Sequence, residues 1–475
     1  MLPTMRRILM MLSLQAAVLA ACLTQGQGGD WPQFRGANAA GRATGDQPLP
    51  ADISPDKHVV WKTTLAKGHS SPVILGKRIF VTAKRGKKLL TIALDAATGR
   101  NIWEQEAPYD RLESIHRIGS HATPSIATDG KHVVSMFGSS GLFCYDIDGK
   151  ELWQRKMGPF DNQFGASSSP VLVGNRVVLV QDHDNGSFLT AIDIETGDDV
   201  WRTNRSEFRR NYGTPAIWKV GEQTQIVIPG TAQVTAYDLS DGKLIWNVHG
   251  VSRVVNTTPV VGEDGRLYIA TAGGGSTREP EFQAVLASSD ANGNSQLEQK
   301  ELPRSPIKSF FGQFDRNKDG SLTESEYESI RKVFGSARDA VLCIRPGGIG
   351  DVTETHVAWE YAKTVPRNSS PLWIDHRLFL VKDGGILTCL NTKTGQISKQ
   401  GRLSVRGKFY SSPVSGDGKI YVVSERGQLC VLSANADWQE LATADFEEDV
   451  YATPAIADRR IYIRTVGHLY CFGLK

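Results

Sequence analysis

Residues 315–326 place oxygen atoms at the spacing a hard divalent cation needs. Asp315, Asn317 and Asp319 offer side-chain oxygens, Ser321 its carbonyl, Thr323 a hydroxyl or a bridged water, and Glu326 two carboxylate oxygens. Calcium takes about six to eight such ligands from a sharply turning chain, and Gly320 stands where the turn must be. A second run begins 25 residues earlier, with Asp290, Asn292, Asn294, Gln296 and Glu298 leading to Glu301. It departs from the pattern at Ser295, where glycine is favoured, and Asn294 lowers its charge. Leu297 and Leu322 hold matching places and can pair. Apolar residues flank both runs: Phe282, Val285 and Leu286, then Phe310, Phe311 and Phe314, then Tyr327, Ile330, Val333 and Phe334. That argues for two packed calcium loops of the EF-hand kind rather than isolated solvated turns. Outside the cytoplasm, where calcium is plentiful, such a pair is expected to be constitutive or structural.

The chain around these loops is built from repeats. A Ser or Thr followed by Pro opens a short apolar run at Ser71, Thr123, Ser169, Thr214, Thr258, Ser370, Ser412 and Thr453. Between these lie runs such as Ala93-Leu94-Asp95 with Thr98-Gly99 and Trp103, repeated at Ala191 and Ala236 and eroding in later copies. Successive prolines are 52, 46, 45, 44, 112, 42 and 41 residues apart, so one step carries an insertion into an otherwise steady period. Each unit reads as four strands, here named a to d, with alternating apolar residues and Gly or Asp turns. The expected fold is all-β, an eight-bladed β-propeller. The last unit lacks strand d and Val59-Val60-Trp61 lacks strands a to c, so an N-terminal strand should close the ring. The calcium loops fall between strands b and c of blade 5, as a small α-helical EF-hand pair.

The motif Ala-x-Asp-x-x-Thr-Gly-x-x-x-Trp resembles the repeat of the pyrroloquinoline-quinone-type propellers. Trp31-Pro32-Gln33-Phe34-Arg35-Gly36 is similar to the start of secreted bacterial members of that group. The family includes quinoprotein alcohol dehydrogenases and the non-catalytic lipoprotein of the outer-membrane β-barrel assembly machinery. The resemblance implies that the residue three before each proline rings one channel mouth: His69, His121, Ser167, Tyr212, Asn256, Asn368, Tyr410 and Tyr451. Arg209, Arg210, Arg253, Arg367, Arg406 and Lys408 should lie nearby, opposed by Glu447, Glu448 and Asp449. Family dehydrogenases hold their quinone with adjacent disulfide-bonded cysteines, and this chain has no adjacent pair. The histidines come with no nucleophile motif. The favoured reading is a non-catalytic scaffold for an envelope protein or an anionic surface polymer, with calcium as its ion. The alternative is a periplasmic quinoprotein oxidoreductase that uses pyrroloquinoline quinone.

Aligned on strand c, Ala93, Cys144, Ala191, Ala236, Cys343, Cys389, Cys430 and Cys471 share one position, which makes five of the six cysteines free apolar fillers. The sixth, Cys22, follows an apolar stretch at 8–21 preceded by Arg6 and Arg7, the pattern of an export signal. Leu19-Ala20-Ala21-Cys22 resembles a bacterial lipobox, so Cys22 is either lipidated or incidental to cleavage. The 475 residues thus divide into a signal (1–22), a tether and N-terminal segment (23–57), propeller (58–272), insertion (273–338) and propeller (339–475). The product is exported: periplasmic, lipid-anchored at the outer membrane, or secreted, and expected to be monomeric. A net charge of +3 from 54 basic and 51 acidic residues makes no case for nucleic-acid binding.

Overall fold

The computed structural model describes residues 29–45, 48–184, 186–274, 279–309, 311–315 and 319–474. The export signal with Cys22, residues 23–28 of the tether, and the loop ligand Asn317 lie outside the described residues.

Alternating apolar runs separated by tight turns form eight units of four antiparallel strands, the blades of the expected propeller, and blade 4 gains a short fifth strand, Gly350–Asp351, parallel to its outer strand. In blade 1 strands a to d are Val73–Leu75, Arg78–Arg85, Lys88–Asp95 and Asn101–Ala107. Blade 8 joins Ala455–Ala457, Arg460–Arg464 and His468–Gly473 to the N-terminal strand Val59–Thr64, with Trp61 opposite Cys471. The ring therefore closes by borrowing its last outer strand. Apolar side chains pack between neighbouring blades: Val73, Phe80 and Ala93 of blade 1 meet Val133, Phe143 and Tyr145 of blade 2.

The repeated Asp, Gly and Trp make these contacts specific. Asp95 Oδ1 accepts the Ala97 and Thr98 amides and the Thr98 hydroxyl, which tightens the c to d turn. Gly99 at the end of that turn has φ +70°, and a Cβ there would come within 2.5 Å of the Trp61 ring. Trp61 belongs to the preceding blade, and its Nε1 donates to Ala96 O at 3.0 Å. The same lock recurs where Trp103, Trp153, Trp201 and Trp359 donate to Ile147, Ile194, Leu239 and Thr392 carbonyls.

Five cysteines are free and buried. One of them departs from the expected alignment. In blade 7 Tyr421, the counterpart of Phe80, pairs with Val431, so Val431 and not Cys430 holds the shared position. Both faces of the blade are covered by neighbours, so alternation along the strand cannot tell the two registers apart.

The insertion leaves blade 5 after Leu267–Thr271 and returns at Ala340–Ile344, which pair with each other. It contains helices Phe282–Ser289, Pro306–Ser309, Phe311–Phe314 and Glu324–Ser336. Phe282, Val285, Leu297, Leu302, Ile307, Phe311, Leu322, Tyr327 and Phe334 form its own buried cluster.

The N-terminal segment does more than tether. Gly29, Trp31, Pro32, Gln33 and Asn38 accept backbone N–H bonds from Asp458, Ile74, Thr128, Leu172 and Ile217, which are blades 8, 1, 2, 3 and 4 in order. Arg42 pairs with Glu263 of blade 5, Arg35 donates to Pro371 O of blade 6, and Ala43 N donates to Ser415 O of blade 7. Residues 29–43 thus touch every blade on the face of the a to b turns and plug that end of the channel.

Candidate functional site

At the opposite face the first residues of the strands a enclose the channel. There the hydroxyl of each opening Ser or Thr accepts the backbone N–H of the residue in the preceding blade. The chain of bonds runs Ser71 to Ser125, Ser169, Thr214, Thr258, Ser370, Ser412, Thr453 and back to Ser71, at 2.9–3.1 Å. This closed hydroxyl ring was missed by the sequence reading, which took the Ser/Thr-Pro signature only as a strand opener. The signal was the unbroken restriction of that position to hydroxyl residues.

Blade 2 enters the ring through Ser125, two residues beyond the expected Thr123. The shift moves the mouth position from His121 to Thr123, which lines the cavity in its place. His121 instead sits in the connecting loop, with Nε2 2.9 Å from Glu113 O and Nδ1 3.4 Å from Lys84 Nζ. The Thr123-Pro124 pair imitates the strand signature two residues too early.

Above the hydroxyl ring lies a cavity of about 430 Å³. His69, Ser167, Tyr212, Asn256, Arg367, Asn368, Tyr410 and Tyr451 line it, and Phe34 of the plug adds an apolar surface. His69 stacks on Tyr451 with ring centres 4.2 Å apart, and Tyr410 leans on Tyr451 at 5.5 Å. Asn256 Nδ2 donates to Asn368 Oδ1 at 2.7 Å. Burial, and then the nearby Arg464 cation, push His69 down to about 4, so its ring is neutral near pH 7 and a weak base. Among the described residues Asp383 is the one acidic side chain on the cavity wall. A calcium-bridged quinone would find no set of carboxylates there, and the residues do not fit that group.

Other expected mouth residues are elsewhere. Arg253 does not line the cavity; its guanidinium lies over the Phe334 ring of the insertion at 5.5 Å, and its N–H donates to Gly274 O. Arg209 and Arg210 both pair with Asp184. Behind Tyr212 is a fully buried pair, Arg205 with Asp182, bonded at 2.9 and 2.8 Å. Asn211 Nδ2 also donates to Asp182, which ties the loop carrying Tyr212 to blade 3. Next to it, His183 stacks on Phe160 at 3.9 Å and is pushed down to about 4 by burial, against the opposing pull of Asp182 and Asp184.

In the insertion, Leu297 pairs with Leu322 and Glu298 with Ser321 in a short antiparallel bridge between the two loops. Asp315 accepts the Asp319 and Gly320 amides, and Asp290 accepts those of Gly293, Asn294 and Ser295. Asn294 Oδ1 accepts the Gln296 amide, and Asn292 Nδ2 donates to Glu298. Glu301 accepts the Ala291 and Glu298 amides. Thr323 and Glu326 cap the last helix reciprocally. Gly320 and Ser295 both adopt positive φ, +86° and +60°, so the loops turn alike despite their different sixth residues. Among the described residues no three acidic, His or Cys side chains converge as a ready metal cluster.

Comparison with known proteins places the fold. The sequence pattern of the family described as outer membrane protein assembly factor BamB matches residues 44–186 and 184–294, more than half of the chain. Outer membrane protein assembly factor BamB of Yersinia pestis is 24% identical over 416 residues, covering 80% of this chain and 90% of that protein. The Burkholderia pseudomallei protein of the same name is 26% identical over 255 residues, 52% of this chain and 59% of its own. Among solved structures, BamB from Moraxella catarrhalis superposes with a TM-score of 0.56 at 13% identity, over 88% of this chain and 99% of that one. Quinohemoprotein alcohol dehydrogenase from Comamonas testosteroni gives 0.55 at 14% identity, over 97% and 84%. Likeness at that identity speaks for the fold alone.

Proposed function

The chain belongs to the family described as outer membrane protein assembly factor BamB, and on that premise we propose that it is an exported, non-catalytic scaffold that holds an envelope protein during outer-membrane protein assembly. The family match is the observation that carries this reading. The closed ring suits it: a scaffold needs a rigid frame, and interlocked blades leave few free edges.

The inserted loops are proposed as calcium sites, with Asp315, Asn317, Asp319, Ser321, Thr323 and Glu326 in one and Asp290, Asn292, Asn294, Gln296, Glu298 and Glu301 in the other. Their support is the shared turn, the Leu297 and Leu322 pairing, and carboxylates directed into the loops. Cys22 is proposed as a lipid anchor that holds the ring at the outer membrane.

The test is genetic and biochemical together. Deleting the gene should lower the amount of folded outer-membrane proteins in the envelope, and the wild-type chain should restore it. A tagged chain should co-purify with an outer-membrane assembly component. Unchanged outer-membrane proteins and no such component would refute the scaffold reading.

A further inference from the structure

The cavity above the hydroxyl ring is blind, since the plug stops the channel beneath it and Phe34 contributes to its wall. Its surroundings carry excess positive charge. Arg367 and Lys408 line it, and among the described residues neither has an acidic partner; Asp383 is the acidic residue of the lining, and Glu425 and Asp449 act on Tyr451 from outside it. Behind His69, Arg464 is fully buried, and among the described residues it donates to Ser70, Thr82 and Ala66 and to no carboxylate. A buried cation without a counter-charge is costly, and it leaves a standing attraction for an anion in the adjacent space.

The walls supply a second kind of recognition. Tyr451, stacked on His69, and Tyr410, tilted 45° to Tyr451, form an aromatic wall on one side, and Tyr212 stands edge-on to Phe164 on another. The Tyr212 hydroxyl lies beside the Phe164 backbone, and Asn256 Oδ1 is shielded from solvent with no hydrogen-bond partner among the described residues. Together with the ring hydroxyls they can bond a polyhydroxylated ligand while the tyrosine rings pack on its apolar faces.

We propose that this cavity binds an acidic saccharide, one or two pyranose rings bearing a carboxylate directed toward Arg367 and Lys408. The site is separate from the protein-partner reading and stands or falls independently of it.

Calorimetric titration of the full chain with digalacturonic acid, lactose and pyrroloquinoline quinone tests the proposal. Saturable one-to-one binding of digalacturonic acid is expected, with lactose at least about tenfold weaker. Lys408→Gln, at an exposed position, and Tyr212→Phe, which removes one hydroxyl, should each weaken binding several-fold while leaving the fold intact by circular dichroism. No saturable binding at millimolar concentration would overturn the proposal. So would equal affinity for lactose, unchanged affinity in both variants, or tight binding of the quinone in place of the sugar acid.

Discussion

The ring and the insertion solve the same problem by opposite means. In the ring the apolar clusters lie between neighbouring blades, and the largest joins the plug to blades 7, 8 and 1 and so ties the two ends of the chain together. In the insertion the core comes from residues 282–334 alone. One region is stabilised by closure, the other by a compact local core and, on the present reading, by an ion. A change in the ring should therefore be felt around it, and a change in the loops should stay local.

The largest expected effect is in the ring. Asp182→Ala leaves Arg205 buried without its counter-ion and should cost about 3–5 kcal/mol. Urea denaturation followed by tryptophan fluorescence measures this, and a loss confined to blade 3 would contradict a cooperatively closed ring. Glu326→Gln should abolish one calcium-binding event in a calorimetric titration. An ion held at a hundredfold excess over its dissociation constant contributes about 2.7 kcal/mol to what it binds. That variant should leave the urea midpoint of the ring unchanged.

Acid separates the two regions next. His69 and His183 have folded-state values of about 4, below the ordinary 6.5. Between pH 6.5 and 4 the unfolded chain binds protons that the folded chain refuses, so stability is full above 6.5 and falls as pH drops to 4. The loss should be about 1–3 kcal/mol per histidine. His183→Phe should flatten the decline in a denaturation series across that range. The insertion, which has no histidine between 273 and 338, should not share it. The smallest effect is Ser295→Gly, which relieves a left-handed residue and should stabilise the first loop by up to about 1 kcal/mol, read as tighter calcium binding at that loop.

Much of this was legible in the sequence. Eight strand openers, the Asp, Gly and Trp lock and the orphan strand at Val59 specify the blade number and the closure, because each is a local signal repeated at a steady period. What escaped was non-local or imitated. The plug is irregular backbone whose partners lie up to several hundred residues away, such as Pro371 for Arg35. Thr123-Pro124 copies the strand signature two residues early and so displaced His121 from the cavity. Arg253 read as a mouth cation because nothing local reveals that Phe334 covers it.

The claim of one closed ring with a separately stabilised calcium graft is tested most directly by backbone hydrogen exchange with and without calcium. Calcium should slow exchange within 282–336 and at the contacts of Arg253 with Gly274 and Phe334, leaving the blade strands unchanged. Protection spread through all eight blades, or none in the insertion, would contradict the account.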